Sequence, residues 1–461
     1  LPHHFRAGFT GIFFCRFFAG RRLSETKRLL ALTVAAALLL SGCSILSGDA
    51  SSLMSPPKLT SEQLAIEKAL DGCVGHDKYT LKYSREGDYR SAFILHNLDA
   101  DQELEAVALY CPNGESAGTH LMILKKTSGK WRKACDFSSS GSDVDKIEFG
   151  DYVGAGHDDI AVAWTELTST NLGLSVYDIS GKKQSVAGTF AAMKTVDTSG
   201  SGKSEILLLS LDKQSHEASA SLYAGRAGAL VKTGSAELDP TVGSYAGIYQ
   251  TKADGKTVVF VDAYKGQHGM VTEVIDFSDG ALKCPSIDPM TGTVRAQFTR
   301  ATPTSCRDIN MDGVYEIPQS EELPGYGDRA SYADKLWLYK WYTYSQDKLG
   351  AQVCTCVINS SEGYYFIFPQ KWAAGGVTVD NAAGDNAWTF RLWDGGKMKN
   401  ILFTISVCSA DDWNSRTQTA RSSIEVLENQ GDVYTAILGN RITDGRYLDI
   451  NDIRQNLRMI S

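Results

Sequence analysis

A chain of 461 residues that is 43% hydrophobic and 10% aromatic has the apolar content of folded domains, and room for two of them. Its formal net charge of −8 argues against a nucleic-acid surface or a grip on anionic lipid headgroups, since both want clustered Lys and Arg. The ten cysteines contain no Cys-x-x-Cys pair, so their spacing does not suggest structural zinc.

Residues 1–22 hold an aromatic-rich apolar patch and read as an extension upstream of the functional start. Lys27 and Arg28 then precede an apolar run over residues 29–40, and Leu40-Ser41-Gly42-Cys43 closes it with the small residues a signal peptidase requires. About a dozen apolar residues are too few to span roughly 30 Å of hydrocarbon. The pattern resembles a bacterial lipoprotein signal peptide. That resemblance implies a mature chain beginning at Cys43, with a diacylglycerol, palmitate included, on its sulfur. Several alkyl tails together anchor where one would be marginal. The expected location is the cell membrane, lipid-anchored and facing the extracytoplasmic side. Loss of residues 1–42 removes six Lys or Arg and one acid, which takes the net charge to −13. The remaining even number of cysteines on an exported chain permits disulfides.

Residues 43–59, rich in Ser and Pro, read as a tether. Residues 60–91 follow as a short helix and a lead-in strand, the helix opened by a possible capping box at Thr60-x-x-Gln63.

Residues 92–360 repeat. Five segments align on an acid-turn-acid pattern that starts at Asn97, Asp151, Asp197, Gln250 and Asp308, spaced 46 to 58 residues apart. A period near 50 is the size of one four-stranded propeller blade. A second marker keeps step. Small turns at Ser128-Gly129, Ser180-Gly181, Ala227-Gly228 and Asp279-Gly280 trail the first marker by a nearly constant distance, and Gln346-Asp347 supplies the fifth. Alternating or β-branched runs fill the intervals, so each unit reads as strand, acidic loop, strand, loop, strand, turn, strand. The expected fold is mainly β: a β-propeller of about five four-stranded blades, with a small C-terminal α+β domain over residues 361–461. In that last domain, residues 416–428 and 450–459 read as helices.

The sharpest loop is Asp308-Ile-Asn310-Met-Asp312-Gly313-Val-Tyr-Glu316. Oxygen side chains at alternating positions, a bend glycine and a closing acid are the hard ligands calcium prefers. Asn97, Asp99, Asp101 and Glu105 repeat the ligand set, with Gln102 in place of the glycine. The other reading of such loops is an Asx-rich turn that satisfies its own backbone without metal. These loops resemble FG-GAP or VCBS-type repeats, the calcium-loop propeller units of integrin α-chain heads and many bacterial surface proteins. The resemblance implies calcium as the cofactor, held by Asp308, Asn310, Asp312 and Glu316 and by Asn97, Asp99, Asp101 and Glu105.

Gly200-Ser201-Gly202-Lys203-Ser204 imitates the end of a nucleotide-binding P-loop. Asp197 stands where that motif needs a glycine, strand-like residues follow where a helix should start, and the segment lies in register with the repeat. No nucleotide is therefore expected, and no nucleic acid. The histidines are scattered without a His-Glu-x-x-His pair, and no Gly-x-Ser-x-Gly elbow occurs. The chain is accordingly expected not to be an enzyme. The expected role is a membrane-anchored propeller that binds a protein or glycan ligand, engaged near an insertion at residues 320–334. A surface polysaccharide hydrolase or lyase, or a structural accessory of an envelope complex, is the alternative.

Overall fold

The computed structural model describes residues 60–460, apart from 115–117, 140, 167–170, 278–279, 328–330, 383, 385, 416–422 and 442. Cys43, the apolar run before it and the tether lie outside the described residues. No described helix is long and apolar enough to cross a membrane.

Helix α1 (Ser61–Val74) begins where the capping pattern places it. Thr60 N donates to Gln63 Oε1 at 2.9 Å and Gln63 N donates to Thr60 Oγ1 at 3.2 Å, so two otherwise orphaned amides are satisfied reciprocally.

The repeat folds as five antiparallel sheets in chain order. Blade one pairs Phe93–His96, Glu105–Pro112, His120–Thr127 and Lys130–Ser138, with Tyr79–Leu81 alongside Phe93–His96 on the same neighbour. Blade two is Asp143–Gly150, Asp159–Thr165, Leu172–Tyr177 and Lys183–Ser185. Blade three is Ala192–Val196, Glu205–Asp212, Glu217–Arg226 and Ala229–Glu237. Blade four is Ser244–Ala253, Lys256–Lys265, Gly269–Asp276 and Thr299–Arg300. Blade five is Ile317–Glu322, Trp337–Ser345, Lys348–Asn359, Tyr364–Ile367 and, from the far end of the chain, Leu457–Met459.

Each sheet is apolar on both faces and cannot be covered alone, so successive sheets pack on one another. Ile94, Val107 and Leu121 of blade one meet Ile147, Val162 and Tyr177 of blade two. Ala161 and Leu174 meet Ile206 and Leu208. Leu207 and Leu209 meet Val259 and Val261, and Phe260 and Val274 meet Ile317 and Tyr344. This is a propeller-like series, as expected from the period. The strand Trp337–Ser345 places Trp341 in the core, buried to 1% exposure, with its indole N–H donated to Cys356 Sγ at 3.2 Å.

The C-terminal region is α+β as expected, but its two expected helices differ. Val377–Asp380, Ala387–Asp394, Lys397–Ser409, Asp432–Leu438 and Ile424–Asn429 form a five-stranded antiparallel sheet. Two short helices accompany it, α2 (Ala410–Ser415) and α3 (Ile450–Asn456). The helix expected over 416–428 is a strand from Ile424, where Val433 and Tyr434 offer a pairing edge; residues 416–422 lie outside the description. The helix expected over 450–459 stops at Asn456, because Leu457–Met459 pairs with Tyr364–Phe366 and trades helical for ladder hydrogen bonds. Tyr364–Ile367 belongs to blade five, so the boundary expected at residue 360 falls inside that sheet. Trp388, Phe390, Phe403 and Tyr434 pack on Val357, Tyr364 and Phe366, sheet against sheet.

The insertion at residues 320–334 is where expectation and structure differ most. Leu323 is buried at 1% exposure in the cluster between blade five and the C-terminal sheet. Tyr326 Oη donates to Val379 O at 2.8 Å, and Thr378 Oγ1 donates to Pro324 O at 2.6 Å. This turn straps the two sheets together through Leu323, Pro324 and Tyr326. Asp328 lies outside the described residues.

Candidate functional site

Each acidic loop runs directly into a strand of its blade, the second strand in blades one to three and the first, Ile317–Glu322, in blade five. Three share one construction. The first acid takes two amides from its own bend: Asp151 accepts from Ala155 and Gly156, Asp197 from Ser201 and Gly202, and Asp308 from Asp312 and Gly313, at 2.6 to 3.1 Å. The closing acid reaches back to the loop's start. Asp159 Oδ2 accepts from Tyr152 N and Val153 N, Glu205 Oε2 from Thr198 N, and Glu316 Oε2 from Ile309 N. Loop one keeps the second half only, with Leu98 N donating to Glu105 Oε2 at 2.9 Å. Gly313, at φ +86°, supplies a left-handed step that most side chains resist. The fourth marker has shrunk to a two-residue hairpin at Asp254-Gly255, both at positive φ, and retains no loop to fill.

Charge separates these loops. In loop one, oxygens of Asp99, Asp101 and Glu105 lie within 4.8 Å of one another, the only such acidic triple among the described residues. Lys125 draws them together. Its Nζ is paired with Asp99, lies 3.0 Å from Asp101 Oδ2 and 3.6 Å from Glu105 Oε1. Asn97 Nδ2 donates to Asp101 O at 2.5 Å, and its buried Oδ1 has no hydrogen-bond partner.

Loop five has the same ligand types, a bend glycine, and no such lysine. Asp308 and Asp312 are turned onto backbone amides, and Asn310 Nδ2 donates to Asp312 Oδ2 at 2.8 Å. Glu316 is fully buried, and its Oε1 has no hydrogen-bond partner. Burial first, then the nearby carboxylates of Asp312 and Asp308, push Glu316 up to about 7. That orphaned oxygen fits a loop able to take a divalent cation, which Asp308, Asn310, Asp312 and Glu316 would hold. The structure thus gathers the ligands of loop one more tightly than those of loop five, which is the reverse of the order their sequences suggest.

In the P-loop imitation, the amides of Ser201 and Gly202 that a phosphate would need are already donated to Asp197.

The clefts among the described residues include two that bear on function. The first, about 280 Å³, lies where Asp88 and Tyr89 of the lead-in pass the first strands of blades two and three, and is lined by Lys146, Glu148, Phe149, Lys194 and Thr195. Its walls are tied. Lys146 Nζ lies 2.5 Å from Glu148 Oε1 and donates to Met193 O at 3.0 Å, and Glu148 Oε2 accepts from Thr195 N. Tyr89 meets Phe149 edge to face, and His96 stacks on Phe149 at 4.0 Å while its Nε2 sits 2.8 Å from Asp158. Lys194 lines the cleft and makes no ion pair among the described residues.

The second cleft, about 470 Å³, is lined by Asp254, Asp276, Lys283, Cys284, Tyr344 and Asp347. Its acids are engaged. Asp254 holds Ser345 Oγ and Gln346 N, and Asp347 accepts from Tyr344 Oη at 3.0 Å. Burial pushes the Cys284 thiol up to about 12, which makes it inert. All eight described cysteines are free thiols. Sequence reasoning missed Lys125, Lys194 and Tyr89. Lys125 was the one within reach, since continuing the register of Ala106 with Leu124 sets it opposite Glu105.

No family model matches the chain, and no curated protein matches it. Similar solved structures include the exotype rhamnogalacturonan lyase YesX, 11% identical over 71% of this chain and 74% of that one, with a TM-score of 0.30. The Bacillus licheniformis rhamnogalacturonan lyase PL11 is 9% identical over 69% of this chain and 90% of its own, at 0.28. The Dos1 propeller is 9% identical over 81% and 84%, at 0.32. The expectation that the chain is not an enzyme is withdrawn, because two of these three structures are lyases. Likeness at this level carries no argument for a particular activity.

Proposed function

We propose that this chain is a lipid-anchored extracytoplasmic protein whose propeller-like body binds a glycan or protein ligand in the cleft beside Lys194. The anchor rests on Leu40-Ser41-Gly42-Cys43 after its apolar run. The binding role rests on one observation: three separate stretches of chain converge on a small polar cleft that has aromatic walls and an uncommitted ammonium. A cleft of this size suits a single sugar unit or the end of a chain, with Tyr89 and Phe149 beside its apolar face and Lys194 and Asp88 for its polar groups.

The loops are of the FG-GAP or VCBS calcium type in this reading, and loop five takes calcium as a stiffener. A buried carboxylate oxygen with neither cation nor donor supports it, because such an atom is costly unless it is protonated or paired. Labelling cells with a palmitate analogue tests the anchor. Wild type should label and Cys43→Ala should not, and equal labelling would sink the proposal.

A further inference from the structure

We propose that the first acidic loop is a cation site whose cation is the chain's own Lys125, so that blade one closes without metal. Three acids from one loop gather around a single ammonium that arrives from a different strand, His120–Thr127. Glu105 is fully buried, and its Oε1 has no hydrogen-bond partner, only the lysine at 3.6 Å. A buried carboxylate in that state is costly unless it is protonated or has a positive charge nearby. Nothing else within the loop provides one.

The register shows why this arrangement belongs to blade one alone. The position opposite the closing acid is Lys125 in blade one, Asp178 in blade two, Ala224 in blade three and Thr343 in blade five, each found by continuing the observed pairing by one residue. Only the first can place an ammonium over its loop.

Loop one also lacks the bend glycine, and its leading residue is Asn97, which does not collect bend amides as Asp151, Asp197 and Asp308 do. Its carboxylates are therefore free to converge, and without Lys125 their mutual repulsion would demand a metal.

The test uses the full mature chain in detergent, with calcium bound per chain counted by titration calorimetry and thermal midpoints read in chelator and in calcium. Lys125→Met should bind one calcium more than wild type. Its midpoint should fall in chelator and recover in calcium, and the added site should vanish in Lys125→Met with Asp101→Asn. In wild type, Asp101→Asn should leave the calcium count unchanged. A fall in that count, or a folded Lys125→Met that gains no site, overturns the proposal. If Lys125→Met folds only in calcium, the proposal stands; if it folds in neither condition, the Asp101→Asn count alone decides. The inference does not depend on metal in loop five, because the same gain of one is read in the Asp308→Ala, Asp312→Ala background.

Discussion

Glu273 makes stability depend on pH in a direction that can be worked out in advance. It sits on Gly269–Asp276 of blade four, fully buried. Its Oε1 accepts from Asp239 N at 2.6 Å, and its Oε2 has no hydrogen-bond partner. Burial is the main cause that pushes it up to about 8 from an ordinary 4.5, and the neighbouring Lys265 offsets this only in part because it is paired with Asp239 at 2.5 Å. The folded state therefore keeps a proton that the unfolded state releases. Stability from this group is fully present below about pH 4.5 and is lost as pH rises toward 8, by at most about 1.4 kcal/mol per pH unit. Across the window the loss is on the order of several kcal/mol, an upper limit because the Asp239–Lys265 pair can shift to meet the new charge. Glu316 and Asp159, pushed up to about 7 and about 6, add slope of the same sign, so the measurement must be a difference between variants. Urea unfolding of wild type and Glu273→Gln at pH 6 and pH 9 isolates the term. The variant should already exceed wild type at pH 6, by at most about 2 kcal/mol, and the gap should widen by at most about 3 kcal/mol more by pH 9. Parallel pH curves for the two proteins would refute the reasoning.

Three further outcomes follow from packing and charge. Leu323→Ala should cost about 2–5 kcal/mol in chemical denaturation, because the strap side chain is buried between two sheets and leaves a cavity there. Gly225→Ala should destabilise by about 1–3 kcal/mol in the same assay, since an added Cβ would lie 2.5 Å from Val153 C and 2.7 Å from Tyr152 O, both backbone atoms. Calcium at a hundredfold excess over Kd should add about 2.7 kcal/mol of stability. Asp308→Ala with Asp312→Ala should abolish most of that gain, and a midpoint indifferent to chelator in wild type would count against metal in loop five.

The blades were legible because two local signals recur at one lag. The acid loop precedes the second strand in blades one to three, and the turns at Ser128-Gly129, Ser180-Gly181 and Ala227-Gly228 join the third strand to the fourth. Both are short-range chemistry, which a sequence states directly. What escaped was long-range. Leu457–Met459 reads as the end of a helix until Tyr364–Phe366 offers it a ladder, and Leu323-Pro324-Gly325-Tyr326 reads as an exposed tip until the C-terminal sheet covers it. Loop one was ranked below loop five by its own residues, and the side chain that reverses their geometry, Lys125, lies on another strand. The cleft is assembled from residues near 88, 148 and 194, and no periodicity marks Lys194 as uncommitted.

The measurement that bears most directly on the central claim is binding at that cleft. The mature protein would be titrated by calorimetry against peptidoglycan fragments and a panel of neutral and anionic oligosaccharides, and then repeated with Lys194→Glu and with Tyr89→Ala. The account predicts saturable binding of at least one member of the panel by wild type, weakened at least tenfold in both variants, with thermal midpoints and calcium response unchanged. Binding of equal strength in all three proteins would contradict it.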